Sequence, residues 1–66
     1  MDIGTALKQQ REHAGISQSE LARATGIKQQ NISRWEKNTH IPDVLECLIL
    51  AKYYGITIEE LIGADE

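Results

Sequence analysis

One twenty-residue segment, SQSELARATGIKQQNISRWE, constrains the fold of this chain more than any other stretch. Ser17, with Glu20 three residues later, forms a capping box, which marks the start of a helix. Gly26 can adopt the left-handed conformation that ends a helix and opens a tight turn. Ile32 and Trp35 then recur at helical spacing. The segment therefore predicts two short helices that are joined at Gly26 and cross at a steep angle.

The rest of the chain also has helical periodicity, and no stretch alternates in the manner of a strand. Asp43 and Thr57 are good N-caps, and Gly15 and Gly55 are good C-caps. We therefore predict five helices, at about residues 3–13, 17–25, 28–38, 43–54 and 57–62. The expected fold is all-α, in a single domain spanning residues 1–66. A domain of this size buries only about 60% of its unfolded surface, so its core is small.

The fourth predicted helix is apolar almost all round, which indicates burial on more than one side. We assign its core stripe to Val44, Cys47, Leu48, Ala51 and Tyr54. A second stripe consists of Leu45, Ile49 and Tyr53, with Leu50 between the two. Two interpretations of the second stripe stay open: partial cover by the last helix, or a homodimer interface with a second copy of the chain.

Composition argues against several classes of function. A single cysteine, Cys47, rules out an internal disulfide and a Cys-rich zinc site, and we expect a buried thiol. His13 and His40 lack a second ligand at metal spacing, so no metal, cofactor or small-molecule ligand is predicted. No stretch is apolar enough for a membrane span or a signal peptide, so we expect a soluble, cytoplasmic protein. Without a nucleophile–base pair, the chain is not expected to be an enzyme.

Charge divides the chain into two halves. Residues 1–37 contain six Lys or Arg against four Asp or Glu, a net +2. Residues 38–66 contain one Lys against six Asp or Glu, a net −5. The overall −3 argues against a nucleic-acid partner, whereas the mildly basic N-terminal half argues for one. Charge by itself leaves both interpretations open.

Polar side chains are expected to face outward near the start of the third helix, because Ile27, Ile32 and Trp35 are expected to face the core. These outward residues are Gln29, Gln30, Asn31, Ser33 and Arg34. In most helices such amides are simply solvated. In the major groove of DNA, however, Gln or Asn matches adenine N6 and N7, and Arg or Lys matches guanine O6 and N7. Gln18 begins the preceding helix, where the partial positive charge of the helix end favours a phosphate.

These features resemble the phage-repressor/Cro-like helix-turn-helix family, of the xenobiotic response element type. The resemblance rests on the spacing of Gln18, Leu21-Ala22, Gly26-Ile27, Ile32 and Trp35-Glu36. It extends over nearly the whole chain, through Arg11, Pro42, Ala51 and the closing GITIEELI. It implies a compact five-helix, lambda-repressor-like domain with the motif at about residues 17–36. The second helix of that motif would lie in the major groove.

The resemblance also implies a function. We expect a sequence-specific transcriptional regulator, a repressor, that binds a pseudo-palindromic operator in double-stranded DNA as a homodimer. It would act in the cytoplasm of a bacterium or a phage-infected cell. The implied base-reading residues are Lys28, Gln29, Gln30 and Arg34, with contributions from Asn31 and Ser33 to bases or backbone. The dimer interface itself is expected from the second apolar stripe of the fourth helix, Leu45, Ile49 and Tyr53, together with the fifth helix.

Four further residues take roles from the same resemblance. Lys37 and Asn38 fall where the loop after the recognition helix meets phosphate in the family. Arg11 and Glu36 fall where a salt bridge joins the first and third helices, although a phosphate contact by Arg11 is an alternative. Two positions depart from the family pattern: Lys28 stands at an N-cap that usually holds Ser or Thr, and Asn38 replaces a common Gly.

A rival interpretation treats the chain as a protein–protein interaction module, such as an antitoxin or an anti-regulator. Such a module would use the apolar fourth helix to bind another protein, and the acidic second half favours it. The loop at residues 39–43 is also nearly devoid of positive charge, which limits contacts with DNA phosphates.

Overall fold

The structure, a computed structural model, describes residues 2–64. It consists of α1 (Ile3–His13), α2 (Gln18–Thr25), α3 (Gln29–Glu36), α4 (Val44–Tyr54) and α5 (Ile58–Ile62). No strand occurs among these residues, so the prediction of an all-α, five-helix fold is confirmed. Each helix begins and ends within two residues of its predicted limits. Within residues 2–64, no helix is long and apolar enough to cross a membrane.

Local hydrogen bonds determine where most of the helices begin and end. The helices α2, α4 and α5 each start with a complete capping box, formed by the pairs Ser17–Glu20, Asp43–Glu46 and Thr57–Glu60. Helix α2 ends at Gly26, whose φ of 77° is left-handed as predicted. Because these bonds satisfy the orphan backbone groups at helix ends, the boundaries follow from short stretches of sequence.

The hydrophobic core lies between all five helices. Helix α3 packs against α1 and α2, α5 packs against α1 and α4, and α2 also contacts α4. The buried side chains of this core are Leu7, Leu21, Ile27, Ile32, Trp35, Cys47, Leu50, Ala51 and Leu61. Their burial removes apolar surface from water, which is the main favourable contribution to folding. The inward positions predicted for the third helix are confirmed.

The predicted core stripe of α4 is partly wrong. Val44 is 74% exposed and Leu48 is 40% exposed, whereas Leu50 is only 2% exposed and belongs to the core. The buried face of α4 is instead formed by Cys47, Leu50 and Ala51, with Tyr54 packed beside them. Leu48 lies about 100° around the helix from Cys47, which turns it away from this face. Val44, the first residue of α4, lies outside the core.

Candidate nucleic-acid interface

Helix α3 is buried on one face and polar on the other. Ile32 and Trp35 are 2% and 4% exposed and hold the inner face against the core. The predicted base-reading residues occupy the outer face: Lys28, Gln29, Gln30 and Arg34 are exposed, and Asn31 and Ser33 are half-buried. Helix α3 therefore presents hydrogen-bond donors and acceptors to solvent on one face, while Ile32 and Trp35 hold its other face against the core.

The start of α3 has no side-chain cap. Lys28 occupies the N-cap position in an extended conformation, and its side chain makes no capping hydrogen bond. This agrees with the expectation that Lys cannot cap. The first backbone N–H groups of a helix have no partner inside the helix, so this end carries a partial positive charge. The Lys28 ammonium adds a full positive charge at the same end of the outer face.

A polar network joins α3 to α1 and α2. Arg11 donates from Nε to Glu36 Oε2 (2.8 Å) and from Nη2 to Glu36 Oε1 (3.0 Å). Gln18 Nε2 donates to the same Glu36 Oε1 (3.1 Å), and Arg11 Nη1 donates to the carbonyl oxygen of Ile16 (2.8 Å). Glu36 is the last residue of α3 and Gln18 the first of α2. The network therefore connects the two helices of the motif with α1.

The Arg11–Glu36 ion pair is nearly removed from solvent, with side chains that are 12% and 5% exposed. These are the two residues whose pairing the family resemblance implies. The hydrogen bonds to Glu36 raise the pKa of Arg11 above its ordinary value. A bidentate contact of this kind combines charge with fixed geometry. Two of the Arg11 N–H groups are used in this contact, so fewer donors remain for a DNA phosphate.

Gln18 is half-buried, and its amide is oriented by Glu36. A carboxylate only accepts hydrogen bonds, so the amide nitrogen of Gln18 must be the group that faces it. One hydrogen of that nitrogen is used in this bond, and the second stays available to another acceptor. The Gln18 side chain is thus held at the beginning of α2, the position predicted to face phosphate.

Tyr54 lies beside this network with its hydroxyl group buried. The hydroxyl has no hydrogen-bond partner among residues 2–64. Burial, and secondarily the negative charge of Glu36, raise the pKa of Tyr54 to about 12. The ring packs edge-on against Tyr53, with centroids 5.2 Å apart. The hydroxyl therefore stays protonated and contributes no charge to the network.

The loop after α3 turns back on the helix through Asn38, which has a left-handed φ of 62°. This is the conformation that the sequence predicts for Asn at a helix end. The carbonyl oxygen of Arg34 accepts from both the backbone N–H and the hydroxyl of Thr39, each at 3.0 Å. Lys37 is exposed beside this turn, with its ammonium free to approach a phosphate.

The side chain of Asn38 is bound to the start of α1. Its Oδ1 accepts from the backbone N–H of Gly4, and its Nδ2 donates to Asp2 Oδ1, each at 3.0 Å. Sequence reasoning missed Asp2 and Gly4 as partners of this loop. The sequence does contain a signal for Gly4. Gly within a predicted helix costs about 1 kcal/mol relative to Ala, which indicates that a side chain at this position would not fit.

Apolar side chains are exposed on α4 and on the loop before it. Of the predicted dimer residues, Leu45 is 65% exposed and Tyr53 is 43% exposed, whereas Ile49 is half-buried and packs against the core. The structure adds three residues that were not predicted there: Ile41, Val44 and Leu48. We refer to Ile41, Val44, Leu45, Leu48 and Tyr53 as the α4 apolar surface. Exposed apolar side chains that lie together can form a surface for another protein.

The described part of the chain shows little that suits other chemistry. Within it, no group of three or more His, Cys, Asp or Glu side chains could hold a metal ion. Cys47 is buried, and burial raises the pKa of its thiol, which disfavours the reactive thiolate.

Two packed helices joined at a left-handed glycine, the second one exposed and polar on its outer face, define a helix-turn-helix domain. Comparison with known proteins agrees. A family model described as helix-turn-helix matches residues 7–61. The chain belongs to the Cro/C1-type helix-turn-helix family. Proteins of this family are regulators and not enzymes, which agrees with the prediction of a non-enzymatic chain.

Two curated relatives match the chain over all of its 66 residues. The HTH-type transcriptional regulator ImmR of Bacillus subtilis (strain 168) is 35% identical, and the match covers 52% of that protein. The HTH-type transcriptional activator BcrR of Enterococcus faecalis is 27% identical, and the match covers 32% of it. The chain thus spans about half the length of the first relative and about a third of the second.

Proposed function

We propose that the chain is a sequence-specific, double-stranded-DNA-binding domain of a transcriptional regulator. The observation that carries this proposal is the polar, exposed outer face of α3 on a helix whose inner face is buried by Ile32 and Trp35. The names of the relatives ImmR and BcrR, a transcriptional regulator and a transcriptional activator, support it. A role in gene regulation places the protein in the cytoplasm.

In this proposal the outer face of α3 reads base edges in the major groove. Gln29 and Gln30 offer a donor and an acceptor together, which matches adenine. Lys28 and Arg34 offer donors that match guanine O6 and N7. Asn31 and Ser33 are half-buried, so they reach bases or backbone only at the edge of the contact. Each good bidentate contact contributes about 1–3 kcal/mol of discrimination against the wrong base pair.

Phosphate contacts would fix the orientation of the domain on DNA without reading sequence. Lys37 supplies a charge beside the exit of α3, and Gln18 supplies the remaining Nε2 hydrogen at the start of α2. Asn38 Nδ2 donates one of its two hydrogens to Asp2 Oδ1, so a contact between Asn38 and a phosphate would use the other hydrogen. Few positive charges lie in this region, so the affinity for non-specific DNA should be low.

We further propose that the regulator binds its operator as a homodimer through the α4 apolar surface. Leu45 and Tyr53 support the interface predicted from sequence, and Ile41 and Val44 (each 74% exposed) extend it. Two copies related by a two-fold axis would present two α3 helices to half-sites about 34 Å apart on a pseudo-palindrome. Sedimentation that shows a monomer both free and on a two-half-site duplex would contradict this part of the proposal.

The proposal is tested by selecting bound duplexes from a random library and measuring their affinity by fluorescence anisotropy. We expect a recurring sequence with two inverted half-sites. Gln29→Ala combined with Gln30→Ala should weaken binding to the selected duplex by about 10²- to 10⁴-fold, the loss of two bidentate contacts. The circular dichroism and thermal midpoint of this variant should match wild type, because both side chains are exposed.

Lys37→Ala is the matched control for a phosphate contact. We expect it to weaken binding to all duplexes uniformly and to make the salt dependence shallower by about one contact. A loss confined to the selected sequence would contradict the phosphate role of Lys37.

The resemblance to phage repressors favours repression as the outcome of DNA binding. A repressor can act by covering a promoter. A reporter gene downstream of the selected duplex should therefore fall in expression when the chain is supplied. A rise would indicate activation instead, the role that the name of BcrR gives to that relative.

The second candidate function is a protein–protein interaction module. The exposure of Ile41, Val44 and Leu45 is the observation that favours it. The acidic charge of residues 38–66 also keeps phosphates away from that half of the molecule. Failure of the selection to enrich any duplex, with the fold intact, would favour this function over DNA binding.

A further inference from the structure

The N-terminus of α1 is capped twice, once by its own N-cap residue and once by a residue of the loop that follows α3. Asp2 Oδ1 accepts from the backbone N–H of Thr5 (2.7 Å), the usual bond of an N-cap. Asn38 Oδ1 accepts from the backbone N–H of Gly4 (3.0 Å), although it lies 34 residues further along the chain. Two of the orphan N–H groups of α1 are thus satisfied, one locally and one across the fold.

The amide of Asn38 is held at both of its ends. While Oδ1 binds Gly4, Nδ2 donates to Asp2 Oδ1 (3.0 Å). A carboxylate oxygen accepts and a backbone N–H donates, so only one orientation of the amide satisfies both partners. The left-handed backbone of Asn38 directs the side chain toward α1 while it ends α3. Asn38 therefore ends α3 and also binds this end of α3 to the start of α1.

Gly4 permits this close approach because it has no Cβ. A Cβ at Gly4 would lie 2.7 Å from Asn38 Oδ1 and closer still to the carbonyl oxygen of Trp35. Real Cβ atoms do not come so near to such groups, and the backbone oxygen of Trp35 cannot rotate away. The exit of α3 is consequently docked directly on the backbone of α1, whereas residues 37–41 beyond it are all exposed.

We propose that Asp2, Gly4 and Asn38 form an α1–α3 clamp that positions the exit of the recognition helix, and Lys37 with it, for DNA binding. The clamp rests on the proposed function, because it assigns Asn38 a positioning role toward the same DNA. Asn38 acts through Gly4 and Asp2, and its own contact with a phosphate is not needed. With the Arg11–Glu36 ion pair, the clamp fixes the C-terminal end of α3 to α1 at two points.

Asn38→Gly tests the clamp, because Gly retains the left-handed backbone and removes only the amide. We expect the amide hydrogen of Gly4 to exchange faster with solvent, relative to that of Ala6, which is bonded to the Asp2 carbonyl oxygen. Asn38→Gly removes two hydrogen bonds, one from the Gly4 N–H and one to the Asp2 carboxylate. Only part of that free energy should appear as lost DNA affinity, so we expect the dissociation constant for the selected duplex to rise about 2- to 10-fold. The slope of affinity against salt should not change. In the control Lys37→Ala, that slope should become shallower while Gly4 exchange stays as in wild type.

A double-variant cycle separates the clamp from a direct phosphate contact by Asn38. Asp2→Ala removes the partner of Asn38 Nδ2 and leaves the bond from the Gly4 N–H, so Asn38→Gly should then cost less affinity than it does in the wild-type background. Asp2→Asn keeps an oxygen acceptor and a good N-cap, and should retain wild-type affinity. All variants are compared at a temperature where Trp35 fluorescence shows them folded. An equal loss from Asn38→Gly in both backgrounds would overturn the clamp and assign Asn38 to phosphate.

Failure of the clamp and failure of the proposed function give different results. A wild-type chain that enriches no duplex overturns the proposed function. Unchanged Gly4 exchange in Asn38→Gly overturns the clamp, whatever the DNA result.

Discussion

The helices α3 and α4 follow one another in the chain and present opposite chemistry to solvent. Each has a buried inner face: Ile32 and Trp35 on α3, Cys47 and Leu50 on α4. The outer face of α3 is polar, whereas the α4 apolar surface exposes large hydrophobic side chains. A polar outer face suits hydrogen bonding to a groove, and an apolar one suits another protein surface. In the proposed function, DNA reading and self-association therefore belong to two separate helices.

The two helices are also attached to the domain in different ways. Helix α3 has polar attachments in addition to its core contacts, namely the Arg11–Glu36 pair and the Asn38 amide. The inner face of α4 packs through apolar side chains, and its buried hydroxyl, that of Tyr54, lacks a partner among the described residues. Polar bonds are directional and apolar contacts are not, so we expect the orientation of α3 to be fixed more closely than that of α4. A fixed orientation is what the proposed function requires of α3.

The largest expected effect comes from breaking the polar attachment of α3. Glu36→Ala leaves the Arg11 guanidinium nearly buried without its partner, so we expect a loss of about 3–5 kcal/mol in the free energy of unfolding. Urea titration followed by Trp35 fluorescence measures it. In a cycle with Arg11→Ala, the coupling should be about 0.5–3 kcal/mol. Absence of coupling would show that the pair does not stabilise the fold.

The apolar attachment of α4 is tested by two leucines on opposite sides of the helix. Leu50→Ala should lower the free energy of unfolding by about 2–5 kcal/mol, because the side chain is 2% exposed and leaves a cavity. Leu45→Ala, at a side chain that is 65% exposed, should change it by less than about 0.5 kcal/mol. It should instead weaken self-association in sedimentation. Equal losses of stability at the two positions would contradict the division of α4 into a core face and an interface.

A smaller effect of the opposite sign is expected at Tyr54. Tyr54→Phe removes a buried hydroxyl that lacks a partner within the described residues and keeps the ring, so we expect a gain of about 1 kcal/mol in the free energy of unfolding. The matched control is Tyr53→Phe, which alters a 43% exposed ring and should change stability little. Chemical denaturation of both variants measures the difference. A loss of stability in Tyr54→Phe would show that the hydroxyl has a partner, such as an ordered water.

The smallest expected effect is a dependence of stability on pH at Asp2. Hydrogen bonds from Thr5, and further from Asn38, hold the pKa of Asp2 below its ordinary 3.8 in the folded chain. A lowered folded pKa means that the contribution of Asp2 is present above pH 3.8 and is lost as the pH falls through the folded value. The thermal midpoint of wild type should therefore fall more steeply than that of Asp2→Asn between about pH 5 and pH 2. Parallel curves would contradict this.

The elements of the fold were predictable because their signals are local. Ser17 with Glu20, Thr57 with Glu60, and Gly26 each act within a few residues, so their roles follow from spacing alone. The burial of Ile32 and Trp35 followed from helical period in the same way. The outer face of α3 was therefore predictable as well, because it is the face opposite Ile32 and Trp35. Its assignment to DNA remains a proposal.

Prediction failed at α4 because periodicity there is ambiguous. When nearly every position is apolar, several stripes fit the helical period equally well, and only the neighbouring helices decide which one is buried. Helices α2 and α5 pack against α4, and in that packing Leu50 is buried while Leu48 and Val44 stay exposed. No spacing rule within α4 distinguishes these residues.

The sequence by itself determined five helices, their ends and the helix-turn-helix at its centre, since these depend on hydrogen bonds and periodicities within single turns. Only the tertiary structure decided that Asn38 caps α1, that Gly4 makes room for the exit of α3, and that Glu36 holds both Arg11 and Gln18. These contacts join residues 18 to 34 positions apart. Their existence depends on how the helices pack, which no local pattern encodes.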